Sequence, residues 1–233
     1  MSYEAGAHKT QMHILNHLLL VPSARFSDIQ RTLNLDSDYV TFHLNALVKA
    51  GYVKKAESNY SLTPQGKEYS NRMDTDEQVI EKQPKLSIAL IVENNNGQFL
   101  AQQRLKQPYY GYWGRPTGKI RWGETMEQAA ARELLEETGL TATWRITGLY
   151  HKMDYATENS QILEDKYFVI AYGLNPKGDI ITEFKGGKNQ WMTNAELLKQ
   201  EKVFATIVEL QNNISNNKTF IIEIPHSYEE SQY

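Results

Sequence analysis

Cysteine is missing from all 233 residues. Its absence excludes disulfides, iron–sulfur clusters, thiolate zinc sites and cysteine nucleophiles. Any bound metal must therefore use oxygen ligands or histidine. Long hydrophobic runs are missing too. A run such as Leu18–Pro22 is far short of the roughly 20 apolar residues that a membrane-spanning helix needs. The first residues, MSYEAGAHKTQ, lack the basic-then-apolar order of a signal peptide. A cytoplasmic protein with no membrane partner is the expectation, and an uncrosslinked chain suits that compartment. Net charge is also scarce: the formal value of −3 gives no bulk attraction to nucleic acid or an anionic surface. What remains is ordinary for soluble domains, with 40% hydrophobic and 23% charged residues. At about 150 residues per domain, the length allows one or two.

A boundary is visible near residue 80. Residues 71–85, NRMDTDEQVIEKQPK, are charged and amide-rich and read as a linker with room for a short helix. The pattern before this stretch is mostly helical. After it comes LSIALIVE, rich in β-branched residues and strand-like, then an Asn94–Gly97 turn and a second strand, QFLAQQR. The expected division is a first domain at 1–75, a linker at 76–85 and a second domain at 86–233. Asparagine runs at 94–96 and 212–217 read as turns or loops.

In the first domain Met12, Leu15, Leu18 and Leu19 have helical spacing over about residues 8–20. Ser27 suits the N-cap of a short helix carrying Ile29 and Leu33. Asp36 or Ser37 suits the cap of a third, whose stripe is Val40, Leu44, Leu47 and Val48, with Gly51 at its end. YVKKAESNYSLT then reads as a hairpin turning near Glu57–Asn59, and a last helix starts at Thr63-Pro64. His13 and His17 lie one helical turn apart, but no third ligand accompanies them.

DSDYVTFHLNALVKAGYV followed by YSLTPQGKEY resembles the winged helix-turn-helix domains of small regulators, over about residues 8–72. The resemblance implies a recognition helix at 37–50 and a wing at 52–62. DNA would then meet Tyr39, Thr41, Phe42, His43 and Asn45 in the major groove, and Lys54 and Lys55 would meet phosphates. Against an eager DNA binder stands the charge. In residues 1–80 eight basic residues face nine acidic ones, whereas DNA readers carry a basic footprint. Dimerisation or protein docking is the other use of such a domain.

The chemistry-bearing stretch is GKIRWGETMEQAAARELLEETGL, residues 118–140. Thr125 suits an N-cap, and residues 126–138 are strong helix formers until Gly139. Glu133, Glu136 and Glu137 fall on one helical face, with Ala131, Leu134, Leu135 and Thr138 roughly opposite. Three crowded carboxylates repel one another, and a hard divalent cation removes that penalty. Mg²⁺ is the expected ion, with Mn²⁺ as the alternative. Gly118 and Gly123 let the preceding loop approach a metal or phosphate closely.

Gly118, Glu124, Arg132, Glu133, Glu136, Glu137 and Gly139 match the Nudix box at every defining position, and RLKQPYYGYWGRPTGK resembles the family's approach to it. The resemblance covers about residues 85–225. It implies an α/β fold, an α/β/α sandwich with a mixed sheet, beside the smaller, mostly α first domain. It also implies cleavage of a nucleoside diphosphate linked to another moiety. Carried over by position, Glu133, Glu136, Glu137 and the Gly118 carbonyl are the implied metal ligands. Glu133 or Glu136 would serve as base to water, and Arg132 would orient a box glutamate. Glu124 would fix the loop, and Arg104 and Lys119 would bind substrate.

The sequence also departs from the family. Thr117 replaces the first glycine of a common pair, and Arg121 stands where an acid is frequent. EFKGGKNQW lacks the carboxylate often found just before the tryptophan, here Trp191, leaving Glu164, Asp165 or Glu183 as substitutes. Neither the aromatic array of NADH-directed relatives nor the proline of ADP-ribose-directed ones is found after the box. A nucleoside triphosphate or another nucleotide sugar stays open. Tyr109, Tyr110 and Tyr112 could stack on a base, while Trp113 reads as structural. A terminal helix at 204–214, a strand at 218–224 and a loose acidic tail from His226 complete the reading. Two functions follow: a metal-dependent hydrolase, or a nucleotide-sensing regulator that would act on DNA as a homodimer.

Overall fold

The computed structural model describes residues 8–74, 76, 79–214 and 219–233. Residues 1–7, linker positions 77 and 78, and the end of the 212–217 asparagine run lie outside the described residues. The chain divides into two compact units, residues 1–82 and 83–233.

The first unit runs α1 (Lys9–Leu19), β1 (Ala24–Arg25), α2 (Phe26–Leu33), α3 (Ser37–Lys49), β2 (Val53–Ala56), β3 (Asn59–Leu62) and α4 (Pro64–Ser70). Asp36 caps α3, its carboxylate accepting from the Asp38 amide at 2.8 Å. Thr63 caps α4, with proline in the first turn. The second helix starts two residues earlier than Ser27 as cap would allow. Arg25 takes the cap position without a side-chain bond, and Phe26 enters the helix to pack on the core. That core joins Ile14, Leu15 and Leu18 to Ile29, Val40, Leu44 and Leu47. Val48 is exposed rather than buried. The fourth place in the α3 stripe goes to His43, 5% exposed and stacked on His8 with ring centroids 4.4 Å apart. Burial and the neighbouring His8 both lower its pKa. The expected linker helix is not seen among the described residues. A strand pair, β4 (Met73–Asp74) and β5 (Val79–Ile80), occupies that stretch.

The second unit contains β6 (Lys85–Val92), β7 (Phe99–Arg104), β8 (Trp113–Gly114), β9 (Thr117–Lys119), α5 (Met126–Thr138), β10 (Thr141–Ala156) and β11 (Ile162–Lys177). It continues through β12 (Glu183–Phe184), β13 (Gly187–Met192), α6 (Asn194–Leu197), α7 (Thr206–Ile214) and β14 (Phe220–Tyr228). A mixed five-stranded sheet has the order β14-β10-β11-β6-β9, and an antiparallel four-stranded sheet the order β12-β13-β7-β8. Ile88, Leu90 and Val92 on one face of β6 pack with α5, while Ala89 and Ile91 on the other pack with α7. This alternation is the strand period of two, and it explains why β6 is apolar on both faces. The result is an α/β/α sandwich.

Two details differ from expectation. The buried face of α5 is Ala129, Ala130, Leu134 and Thr138, whereas Ala131 and Leu135 face solvent. The sheet accepts a narrow i, i+4, i+8 stripe, so side chains 100° away from it emerge. The tail is not loose: β14 continues through His226 to Tyr228 beside β10, and Tyr228 packs with Tyr109 and Tyr112.

Candidate active site

The site grows from the end of β9 and the start of α5. Thr125 caps α5 in a reciprocal box with Gln128, and Gly139 ends it at φ 73°. Gly118 pairs with Ile88 across the sheet. A Cβ there would sit 1.9 Å from Glu133 Cδ, so the glycine lets the carboxylate lie directly on the strand backbone.

Arg132 organises the carboxylates. Its guanidinium grips Glu124 at 2.5 and 2.8 Å, donates to Glu133 at 2.6 Å, and lies 3.4 Å from Glu136. It also donates to the Lys119 carbonyl at 3.0 Å. The Arg121 amide closes the loop onto Glu124 at 2.8 Å. These bonds, that of Arg132 first, hold the Glu124 carboxyl down to about 2. The Arg121 side chain pairs with Glu136 at 3.3 Å, which assigns a contact to one departure from the box pattern. Glu137 points to a separate set of partners. Gln102 Nε2 donates to it at 2.9 Å, Lys106 lies at 4.0 Å, and burial raises its pKa. Asn189 fixes this corner by donating to the Glu137 and Ile181 carbonyls at 2.7 and 2.8 Å and accepting from Gln102.

The three glutamates thus share a helix but are drawn apart, Glu133 and Glu136 toward Arg132 and Glu137 toward Gln102. Among the described residues no three acidic or histidine side chains converge on one point. The repulsion expected between them is offset here by arginine, lysine and amide groups. The donor set still fits a hard divalent cation: it is all oxygen, and the bare Gly118 backbone leaves the Glu133 carboxylate room at the strand.

Arg104 ends β7, where its Nε donates to the Pro108 carbonyl at 2.5 Å and Nη2 to that of Gln107 at 3.2 Å. Lys119 is exposed. Each suggested substitute for the downstream glutamate has its own partner: Glu164 with Lys166 at 2.8 Å, Asp165 with His151 at 2.7 Å, and Glu183 with Lys188 at 2.9 Å. Tyr109 and Tyr112 are buried in an aromatic cluster, while Tyr110 is exposed. In the first unit Thr41, Asn45, Lys54 and Lys55 are exposed, and so is Phe42 at 68%. His43 does not join them, because its ring fills the space between α3 and His8. Sequence reasoning missed Gln102, Lys106 and Asn189. Only the pairing of β7 with β13, which sets Gln102 opposite Asn189, brings them to Glu137.

A sandwich with a glutamate-rich helix opening beside a glycine strand defines the class. The comparisons with known proteins give the family. The model of the NUDIX domain matches residues 83–210, and the chain belongs to that family. An 8-oxo-dGTP diphosphatase of Proteus vulgaris is 46% identical over 61 residues, 25% of this chain and 54% of that protein. An ADP-ribose pyrophosphatase of Methanocaldococcus jannaschii is 31% identical over 100 residues, 41% of this chain and 59% of that one. The chain thus spans little more than half the length of these two relatives. The crystal structure of a MutT protein from Bacillus halodurans superposes with a TM-score of 0.52 at 20% identity, covering 64% of this chain and 93% of that one. That likeness is one of fold.

Proposed function

We propose that the second unit is a metal-dependent pyrophosphohydrolase that cleaves the diphosphate bond of a nucleoside diphosphate linked to another moiety. The carrying observation is the Arg132-centred grouping of Glu124, Glu133 and Glu136 beside Gly118. The relatives' names, a diphosphatase and a pyrophosphatase, support the same bond class. Glu133, Glu136, Glu137 and the Gly118 carbonyl would hold Mg²⁺ or Mn²⁺. A cation there would neutralise the diphosphate and acidify a bound water. Arg132 would set the direction of Glu133 and Glu136, either of which would accept the proton of the attacking water. Arg104 and Lys119 supply positive charge for the departing phosphate. Nucleotide hydrolysis with Mg²⁺, measured for the wild type and a Glu136→Gln/Glu137→Gln double variant, tests this. Activity only in the wild type is expected. Equal rates in both proteins would sink the idea.

The element order of the first unit favours a second reading, a winged-helix regulator that senses a nucleotide through the second unit. α3 would enter the major groove through Thr41 and Asn45, and Lys54 and Lys55 of β2 would meet phosphates, in a homodimer. A gel shift at low salt with upstream DNA, with and without nucleotide, addresses it. The regulator reading fails if no fragment is retarded in either state.

A further inference from the structure

The loop between β9 and α5 carries a cation, Arg121, where an acid is frequent in the family. Its backbone and its side chain do different things. The Arg121 amide donates to Glu124 at 2.8 Å and closes the loop. That bond belongs to the backbone, so another side chain at 121 keeps it. The guanidinium instead reaches across to α5. Its Nη2 lies 3.4 and 3.3 Å from the two carboxylate oxygens of Glu136.

Both side chains of this pair are open to solvent, Arg121 at 60% and Glu136 at 48%. An exposed pair of this kind contributes little to stability. The other arginine near Glu136 is differently held. Arg132 is 14% exposed and bonds Glu124, Glu133 and the Lys119 carbonyl. It cannot leave without stripping those groups of a partner. Arg121 can, because Glu136 is its one ion-pair partner among the described residues. Its neighbours leave it room to swing: Trp122 is 93% exposed, and Gly123, at φ 82°, has nothing within 4 Å of a Cβ position.

Glu136 is also a proposed metal ligand. A divalent cation and Arg121 therefore compete for the same carboxylate oxygens. Like charges brought so close repel, even in water. An acid at position 121 would attract the cation instead. A diphosphate relieves the repulsion, since the planar guanidinium fork fits phosphate oxygens.

We propose that Arg121 exchanges partners as the site fills: it gives up Glu136 to the metal ion and then clamps the diphosphate of the ligand. Metal alone is bound weakly, and metal together with diphosphate tightly. Each binding event strengthens the other by the same factor. The inference rests on the reading of the box glutamates as the metal site of a diphosphatase.

Calorimetry on the full chain tests it with two probes. One is Mn²⁺ alone, and the other is imidodiphosphate, which resists hydrolysis, at saturating Mg²⁺. Arg121→Gln should bind Mn²⁺ about tenfold more tightly than the wild type, the worth of one positive charge removed beside a divalent ion. The same variant should bind imidodiphosphate about tenfold more weakly, a charged hydrogen bond having been lost. Arg121→Lys keeps the charge and should stay within about threefold of the wild type for both probes. Opposite signs for the two probes are not produced by a general loss of structure, and the melting curves should nearly coincide. Equal Mn²⁺ affinity in the wild type and Arg121→Gln, or imidodiphosphate affinity that does not fall, overturns the proposal. That result beside normal Mg²⁺-dependent hydrolysis would leave the diphosphatase reading intact. Mn²⁺ binding absent from the wild type, or retained in the Glu136→Gln/Glu137→Gln variant, would overturn both.

Discussion

Gly118→Ala separates the chemistry of the site from the stability of the fold. The new Cβ would lie 1.9 Å from Glu133 Cδ and 2.3 Å from its Cγ and Oε1. Ordinary carbon contacts are about 3.5–4.0 Å, so the carboxylate must retreat by about 1.5–2 Å. Gly118 has no positive φ, so the effect is one of space and not of backbone strain. The displaced atoms end a flexible side chain, which puts the stability cost at the low end of overpacking, ~1 kcal/mol. For a chain of this size that is a fall in Tm of about 2–4 °C. The catalytic cost is expected to be larger. Glu133 would leave both the strand backbone and the Arg132 hydrogen bond at 2.6 Å. Misplacement of a reacting group by about 1 Å can cost on the order of 100-fold in rate. The assay is kcat for nucleotide hydrolysis with saturating Mg²⁺, beside thermal melting of the same preparations. Gly97→Ala is the control: that glycine has φ 71° and nothing within 4 Å of a new Cβ. It should lower Tm through turn strain and leave kcat alone. A Gly118→Ala protein that keeps its kcat within a few-fold would refute the placement of Glu133 in the chemistry.

Other outcomes follow from the packing and the charges. Leu134 is fully buried under the sheet, so Leu134→Ala should cost ~2–5 kcal/mol in denaturant unfolding; a cost below about 1 kcal/mol would mean that the α5 face is not the core contact described. His151 is desolvated, yet hydrogen bonds to Asp165 at 2.7 Å and Glu223 at 2.8 Å outweigh this and raise its pKa. A raised folded-state pKa contributes stability that is full below roughly pH 6 and is lost as pH climbs through the folded value. The stability advantage over His151→Gln should therefore shrink as the pH rises above about 6, and an advantage that grows would reverse the assignment. If the first unit binds DNA, Lys54→Ala/Lys55→Ala should weaken binding uniformly across sequences and flatten the salt dependence by about two phosphate contacts. An unchanged salt slope would remove the wing from the interface.

The box could be read in the sequence because its parts are local. A cap at Thr125, carboxylates three and four residues apart and a closing Gly139 all lie within one helix and its entry, where the helical period translates directly into geometry. The same holds for the α1 core stripe, for Val40, Leu44 and Leu47 of α3, and for the caps at Asp36 and Thr63. His43 was misread because its burial depends on His8, which reaches it from another helix end. The tail was misread because an acidic stretch looks solvated until β10 supplies a partner for β14. The charge group on the β10–β11 face was illegible for a stronger version of the same reason. Lys152, Asp154, Glu164 and Lys166 read singly as surface charges, and only the antiparallel register of β10 and β11 assembles them on one buried face.

That contrast bears on how such a protein divides its work. The carboxylates proposed for bond cleavage lie on one continuous segment, so their grouping is written in local spacing. The buried charges of the sheet face, Lys152 and Lys166 with their acidic partners, instead sit on two long strands joined by register. A shift of one residue in the β10–β11 pairing would turn those lysines to the other face and leave the box untouched. The three irregularities in that ladder, near residues 141–143, 146–148 and 154–155, leave Lys152 opposite Lys166 and Asp154 opposite Glu164.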